Sequence, residues 1–218
     1  MNRTADAIIV GAGVIGSAVA FELAKRGYKT LNIDKLPTSG YGSTSNSCAI
    51  VRAHYSTWDG VAMAYEGFFY WDDWDDYIGV KDDRGMIKYM KTGSILFKLE
   101  GEDHSSKCLK LFKEIGVEHE IWDLEKLKEM IPIYSHDQYD GTTRPDEDDH
   151  FWDKTGKKIE GAVYTPGSGY VSDPQLTSHN LQVAAEASGG EFLFNSEITE
   201  IRQQNGRVVG VTLKSEEQ

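Results

Sequence analysis

The stretch IIVGAGVIGSAVAFELAKRG, from Ile8 to Gly27, leaves few folds open to this chain. Gly11, Gly13 and Gly16 form a G-x-G-x-x-G turn, and the surroundings of that turn carry more information than the glycines themselves. Residues Asp6 to Val10 are apolar and β-branched enough for a short buried strand that ends where the glycines begin. From Val14 to Lys25 apolar residues recur at helical spacing through Ile15, Val19 and Leu23, so a helix starts inside the turn, and Gly27 closes it as a left-handed cap. A second strand, KTLNID, ends on Asp34. Strand, glycine turn, helix and strand together make the dinucleotide-binding unit. Gly11 permits the tight turn, Gly13 lets a pyrophosphate approach the backbone, and Gly16 lets helix and strand pack closely. Ala12, Val14 and Ile15 complete the turn facing the phosphates, toward which the positive end of the helix points. Asp34 lies about 20 residues beyond the turn, where an acid accepts hydrogen bonds from an adenosine ribose. The fingerprint by itself does not separate FAD from NAD, and Lys35 is only a faint hint of a 2′-phosphate.

Composition narrows the classes of partner. The chain has 218 residues, 39% hydrophobic and 11% aromatic, which is enough for one large domain or two small ones with a real core. A formal net charge of −12 argues against a nucleic-acid groove or an anionic membrane surface, because either needs a basic face. Cys48 and Cys108 match no zinc or redox spacing, which fits a cytoplasmic protein. The start of the chain loosely imitates a secretory signal, but glycines interrupt its apolar run and a strand follows it. No apolar stretch has the length of a transmembrane helix.

Downstream, the hydroxyl-rich segment SGYGSTSNSCAIVRAHY, Ser39 to Tyr55, replaces the strand and helix that a simple nicotinamide-binding domain would continue with. TGSILFKLE reads as a strand, and a helix with an apolar side runs through Leu109, Leu111, Phe112 and Ile115. Asp173 and Pro174 begin a helix as N-cap and first-turn proline, Gly189 and Gly190 stop it, and EFLF follows as a strand. Asn205 and Gly206 sit between two alternating runs, the strongest short hairpin signal.

With these stretches, the chain resembles the D-amino-acid oxidase superfamily of FAD-dependent amine oxidoreductases, which includes sarcosine, dimethylglycine and glycine oxidases. The resemblance rests on the fingerprint ending at Asp34, on GSTSNSCAIVR, on TGSILFK with DLEKLKEMIP, and on the long stretch from Gly161 to Leu213. It implies an α/β fold: a Rossmann-like FAD-binding domain with a parallel sheet and a β-hairpin, from residues 1–80 and 171–218, plus an inserted α+β substrate domain over 81–170. It implies FAD as cofactor, with Ser43, Thr44, Ser45, Asn46 and Ser47 in the loop that passes the pyrophosphate and flavin ring. None of those five is a histidine, so covalent flavin attachment through this loop is not expected. Members of the superfamily are longer, and the expectation is that a second polypeptide completes the flavin and substrate domains.

The implied activity is oxidation of an amino acid or N-methylated amino acid by hydride transfer to flavin N5. Arg52 matches the arginine that pairs with the substrate carboxylate in monomeric sarcosine oxidases, and a guanidinium fork suits a carboxylate. His54 and Tyr55 stand beside it as candidates to face flavin or substrate, with a merely structural role for His54 equally open. Two other readings remain: a non-catalytic FAD-binding subunit for assembly or electron relay, and a 2-hydroxy-acid dehydrogenase of the same superfamily. The remaining conspicuous features read as structural. Met63, Gly67, Tyr70, Trp71, Trp74, Tyr77 and Ile78 fall on one stripe of a single core-packing helix. PDEDDH, Pro145 to His150, reads as a solvated loop, and six scattered histidines give no metal site.

Overall fold

The computed structural model describes residues 3–139, 144, 146–147, 149–150 and 152–214. Along the chain the elements are β1 (Ala7–Val10), α1 (Val14–Lys25), β2 (Thr30–Ile33), β3 (Ile50–Val51), α2 (Trp58–Asp72) and α3 (Trp74–Ile78). There follow β4 (Tyr89–Met90), β5 (Ser94–Leu99), α4 (His104–Ile115), β6 (Glu120–Asp123), α5 (Leu124–Met130) and β7 (Asp137–Tyr139). The last are β8 (Lys154–Thr165), β9 (Gly169–Val171), α6 (Pro174–Ala187), β10 (Glu191–Leu193), β11 (Ile198–Gln204) and β12 (Arg207–Leu213). They form two units. One comprises Met1–Ile50, Tyr70–Met90 and Tyr170–Gln218; the other comprises Val51–Phe69 and Lys91–Gly169. This division departs from boundaries at 80 and 170, because Val51–Phe69 packs with the second unit while the first keeps the chain as far as Met90.

The first unit is built on a parallel sheet of order β1–β2–β10. All four residues of the central strand β2 are buried, as expected for a parallel strand covered on both faces. Thr30 and Asn32 are its polar residues, and Asn32 Nδ2 donates to the Gly16 carbonyl at 3.1 Å, tying β2 to α1. Helices α1 and α6 pack together, and both bury small residues: Ser17, Ala20 and Ala24 on α1, Ser178, Ala184 and Ala185 on α6. Their caps are as expected. Gly27 sits at φ 86° with its amide on the Ala24 carbonyl, and the Asp173 carboxylate accepts from the Leu176 amide at 2.9 Å, with Pro174 next in line. Asn205 and Gly206, at φ 51° and 73°, turn the β11–β12 hairpin.

A buried polar network fixes one side of this unit. Asn180 on α6 accepts from Trp74 Nε1 (3.1 Å) and the Ile87 amide (3.2 Å), and donates to Asp82 (2.7 Å) and the Gly85 carbonyl (2.9 Å). Asp82 also accepts from the Arg84 amide and pairs with His179. Burial pushes the Asp82 carboxyl upward, but His179, the Arg84 amide and Asn180 together hold it below its ordinary value.

The aromatic stretch departs from the single helix expected of it. The helix breaks at Asp73 (φ −103°, ψ 38°), and Met63 and Tyr70 are exposed while Val61, Phe68, Trp74 and Ile78 are buried. The break has an electrostatic logic. Four aspartates between Asp72 and Asp76 would crowd like charge onto one helix; the break instead puts Asp75 and Asp76 in the first turn of α3, where the dipole favours anions.

The second unit carries an antiparallel sheet of order β5–β8–β6, with β7 also paired to β8. Alternation along β8 sends Val163 into one core cluster and Ala162 into another. The first cluster holds Cys108 and Phe112 of α4 with Val61 and Phe68 of α2; the second holds Trp122, Leu127 and Ile159. Gly161 crosses so close to β6 that a Cβ there would meet the Trp122 carbonyl oxygen at 2.3 Å.

Candidate functional site

In the first unit, the chain leaves β1 through Gly11 at φ 96°, a conformation that favours glycine. The turn is held from β2: the Gly11 amide donates to the Ile33 carbonyl (2.8 Å) and the Ala12 amide to Asp34 Oδ2 (2.7 Å). The other Asp34 oxygen accepts from the Leu36 amide at 2.9 Å. Asp34 is therefore fixed at the end of β2 against the glycine turn, with Lys35 exposed beside it. Gly16 lies against the turn itself, and an added Cβ would sit 1.9 Å from the Gly11 carbonyl oxygen.

Gly13 is the N-cap of α1 in an extended conformation, with no side chain to satisfy the first-turn amides. Thr44 takes up one of them, its Oγ1 accepting from the Val14 amide at 3.0 Å. Ile15, 79% exposed, projects from the same first turn, while Ala12 is fully buried. A helix N-terminus fronted by glycine, with a single threonine hydroxyl on it and a carboxylate fixed alongside, has the chemistry for a diphosphate and a ribose. The residues present thus fit FAD at this end.

The hydroxyl-rich loop divides into two roles. Thr44 reaches the turn, whereas Ser45 and Asn46 donate to carbonyls of Tyr41 and Gly42 and Ser47 accepts from the Ala49 amide, so these three shape the loop itself. Ser43 immediately precedes Thr44 in the chain. Gly40 was not singled out by its sequence context. Its amide donates to the Ala12 carbonyl at 2.8 Å, and its φ of 71° strains a side chain there, with the Gln175 backbone only 3.1 Å from an added Cβ. Asn32 likewise escaped notice; a polar residue inside the apolar strand TLNI was its signal.

The second unit brings Arg52, His54 and Tyr55 together ahead of α2. Arg52 Nη1 donates to the His54 carbonyl at 2.9 Å, and its guanidinium carbon lies 5.5 Å from the centre of the Tyr55 ring. No carboxylate of the described residues lies within 4.0 Å of the Arg52 guanidinium. His54 is only 5% exposed, with Nε2 3.0 Å from Thr165 Oγ1 and 3.3 Å from Ser94 Oγ, and its ring tilted against Phe112. Burial, then the Arg52 charge and the nearby His104, push His54 down to about 4, so the ring is neutral at ordinary pH. Cys108 donates its thiol to the Tyr55 carbonyl, and burial raises its pKa, so it is not poised as a nucleophile. Thr165 and Ser94 lie far along the chain from His54, and no local pattern signals them.

Among the described residues no group of three or more His, Cys, Asp or Glu side chains could hold a metal ion, and no helix is long and apolar enough to cross a membrane. Pro145 and Asp148 of the acidic loop lie outside the described residues; within that loop His150 pairs with Asp153 at 2.9 Å.

Known proteins resemble this chain in sequence and fold. Residues 6–218 match the model of the FAD dependent oxidoreductase family, DAO. Glycine oxidase of Geobacillus kaustophilus is 26% identical over 97% of this chain and 52% of its own length. Monomeric sarcosine oxidase of a Bacillus species is 24% identical over 91% of this chain and 45% of its own. Among solved structures, L-proline dehydrogenase from P. horikoshii superposes with a TM-score of 0.75 at 20% identity, over 98% of this chain and 50% of that one, a likeness of fold. The chain thus spans about half the length of the relatives it matches. With the family model running from the first strand onward, this chain belongs to the FAD dependent oxidoreductase family, DAO.

Proposed function

We propose that this chain forms the nucleotide-binding half of a flavoenzyme that oxidises an amino acid or an N-methylated amino acid of the sarcosine type. The observation that carries the substrate class is Arg52. In a chain with 35 acids against 23 lysines and arginines, an arginine held by a carbonyl and an aromatic face, with no carboxylate beside it among the described residues, is available to an incoming carboxylate. The names of the relatives, glycine and sarcosine oxidases, point to the same class.

In this reading FAD, when bound, accepts the substrate hydride at N5. The chain's own residues bind and orient. Gly11, Ala12, Gly13, Val14, Ile15 and Gly16 cradle the diphosphate, Asp34 takes the ribose with Lys35 beside it, and the loop of Ser43, Thr44, Ser45, Asn46 and Ser47 closes over the phosphates. Arg52 binds the substrate carboxylate, Tyr55 supports its guanidinium, and His54 stands behind both. Positioning of this kind is most of what amine oxidation asks of a protein.

A second polypeptide completes the flavin and substrate domains. Supporting this, the relatives are twice as long, β1 is an outer strand of its sheet, Val10 at its end is 62% exposed, and Ile201, Val208 and Val209 of the hairpin are exposed as well. The test is an absorption spectrum of the purified native assembly with mass spectrometry of its chains and released cofactor. Yellow protein carrying FAD and a second chain is the expected result; a colourless assembly that takes up no FAD overturns the reading. Arg52→Ala is expected to raise KM for carboxylated amines by roughly 100-fold, about 3 kcal/mol of lost charge-assisted hydrogen bonding, and an unchanged KM removes Arg52 from the site.

A further inference from the structure

Arg52 and its neighbours up to Thr57 belong to neither a helix nor a strand beyond β3, so no ladder of backbone hydrogen bonds fixes the guanidinium. Something else must hold it. The backbone here is pinned at two consecutive carbonyls: that of His54 takes the Arg52 Nη1 hydrogen bond, and that of Tyr55 takes the Cys108 thiol. The peptide of His54 is anchored in turn through its side chain, whose Nε2 reaches the hydroxyls of Thr165 on β8 and Ser94 on β5, two paired strands of the sheet. Phe112 closes the other side of the ring.

We propose that His54 is a positioning residue for Arg52: its buried imidazole bolts the Arg52–Tyr55 segment to β5 and β8 and so presets the guanidinium that receives the substrate carboxylate. This deepens the assignment of Arg52 to the carboxylate and rests on it. His54 is only 5% exposed and its ring nitrogen is engaged by two hydroxyls, which separates this role from acid–base work at the reacting centre. The physical reason for an imidazole here is its size and its ring nitrogen. It spans from an irregular segment to two strands at once, and its neutral form adds no second cation beside Arg52. A guanidinium left to find its own conformation would lose entropy on every binding event, and a misplacement of about 1 Å weakens an oriented contact by up to about 100-fold.

The experiment uses the complete flavin-loaded assembly and compares Arg52→Ala, His54→Ala, His54→Gln, Thr165→Val and the double variant Arg52→Ala/His54→Ala. The readouts are KM and kcat for a carboxylated amine, the inhibition constant of acetate as a carboxylate without an amine, and the flavin spectrum as a check on folding. His54→Ala is expected to raise both KM and the acetate constant by between about 10- and 100-fold, far more than it lowers kcat. His54→Gln, which can still reach the two hydroxyls, recovers part of the loss, and Thr165→Val reproduces a smaller version of it. The double variant binds acetate no worse than Arg52→Ala, because the two residues act through one contact. Should His54→Ala lower kcat while KM and acetate binding stay normal, the residue acts elsewhere in the reaction and the proposal falls. It falls equally if the losses of the two single variants add. A normal KM in Arg52→Ala overturns the carboxylate assignment itself, whereas a raised KM there with normal values in His54→Ala overturns only the positioning role. If His54→Ala does not fold, His54→Gln and Thr165→Val decide the matter by the same constants.

Discussion

The glycine turn allows a comparison in which two neighbouring residues of the same type are expected to behave differently. An alanine methyl at Gly16 would stand 1.9 Å from the Gly11 carbonyl oxygen and 3.0 Å from its carbon. Restoring ordinary contact means opening that gap by more than about 1 Å. What stands in the way is backbone, and Gly11 is already committed to φ 96° with its amide bonded to Ile33. Strain of this kind falls at the upper end of the overpacking range, about 3 kcal/mol. Gly13 differs. Its φ of −71° with ψ of −179° suits any residue, and a methyl there meets only the Thr44 hydroxyl at 3.1 Å. Gly13→Ala should therefore cost less than about 1 kcal/mol in stability, although its methyl points into the space in front of α1 and weakens flavin binding. The assay is thermal unfolding of the assembly stripped of flavin, so that ligand linkage does not enter, followed by flavin titration. For Gly16→Ala the midpoint should fall by roughly 6–12 °C, at about 2–4 °C per kcal/mol. Gly13→Ala should stay within about 4 °C of the parent and still lose flavin affinity. Equal stability losses in the two variants would refute the reasoning, since it attributes the difference to one backbone oxygen.

Two further outcomes follow from buried polar groups. Asn180→Ala strands the Trp74 Nε1 and Ile87 amide donors and removes two donors from Asp82 and Gly85, so it should cost about 3 kcal/mol or more, read as a lower midpoint in chemical denaturation with an unchanged slope. His54, held near 4 in the folded state against about 6.5 unfolded, contributes stability that is complete above pH 6.5 and is lost as pH falls toward 4, because only the unfolded chain takes the proton in that window. Between pH 7 and 5 that loss is up to about 2 kcal/mol; it should vanish in His54→Gln, and a variant with the parent's pH slope would count against a neutral buried ring.

Features legible in the sequence share one physical property: their causes act within a few residues. Gly27 as a left-handed cap, Asp173 ahead of Pro174, and the Asn205–Gly206 turn are each imposed by dihedral limits or a nearest orphan amide, and each stands where its local pattern put it. The strand–turn–helix–strand geometry around the glycines and the Asp34 carboxylate was legible for the same reason, because all of it lies within one short unit. Thr44 also has a contact to justify its place in the expected loop, while the hydroxyls of Ser45 and Ser47 and the amide of Asn46 proved to satisfy their own backbone, a distinction that composition does not carry. Where like charge competes with periodicity, as at Asp72 to Asp76, an apolar stripe reads two helices as one, because counting faces ignores the dipole at each new end. The surroundings of Arg52, His54 and Tyr55 required contacts that no spacing records. His54 between Ala53 and Tyr55 looks like a reactive side chain beside an arginine, yet its partners are 111 and 40 residues away, and they turn its ring inward and leave only its carbonyl to Arg52. A residue's chemical type thus names the reactions open to it, but its access to them is decided by which distant strand its side chain is bonded to.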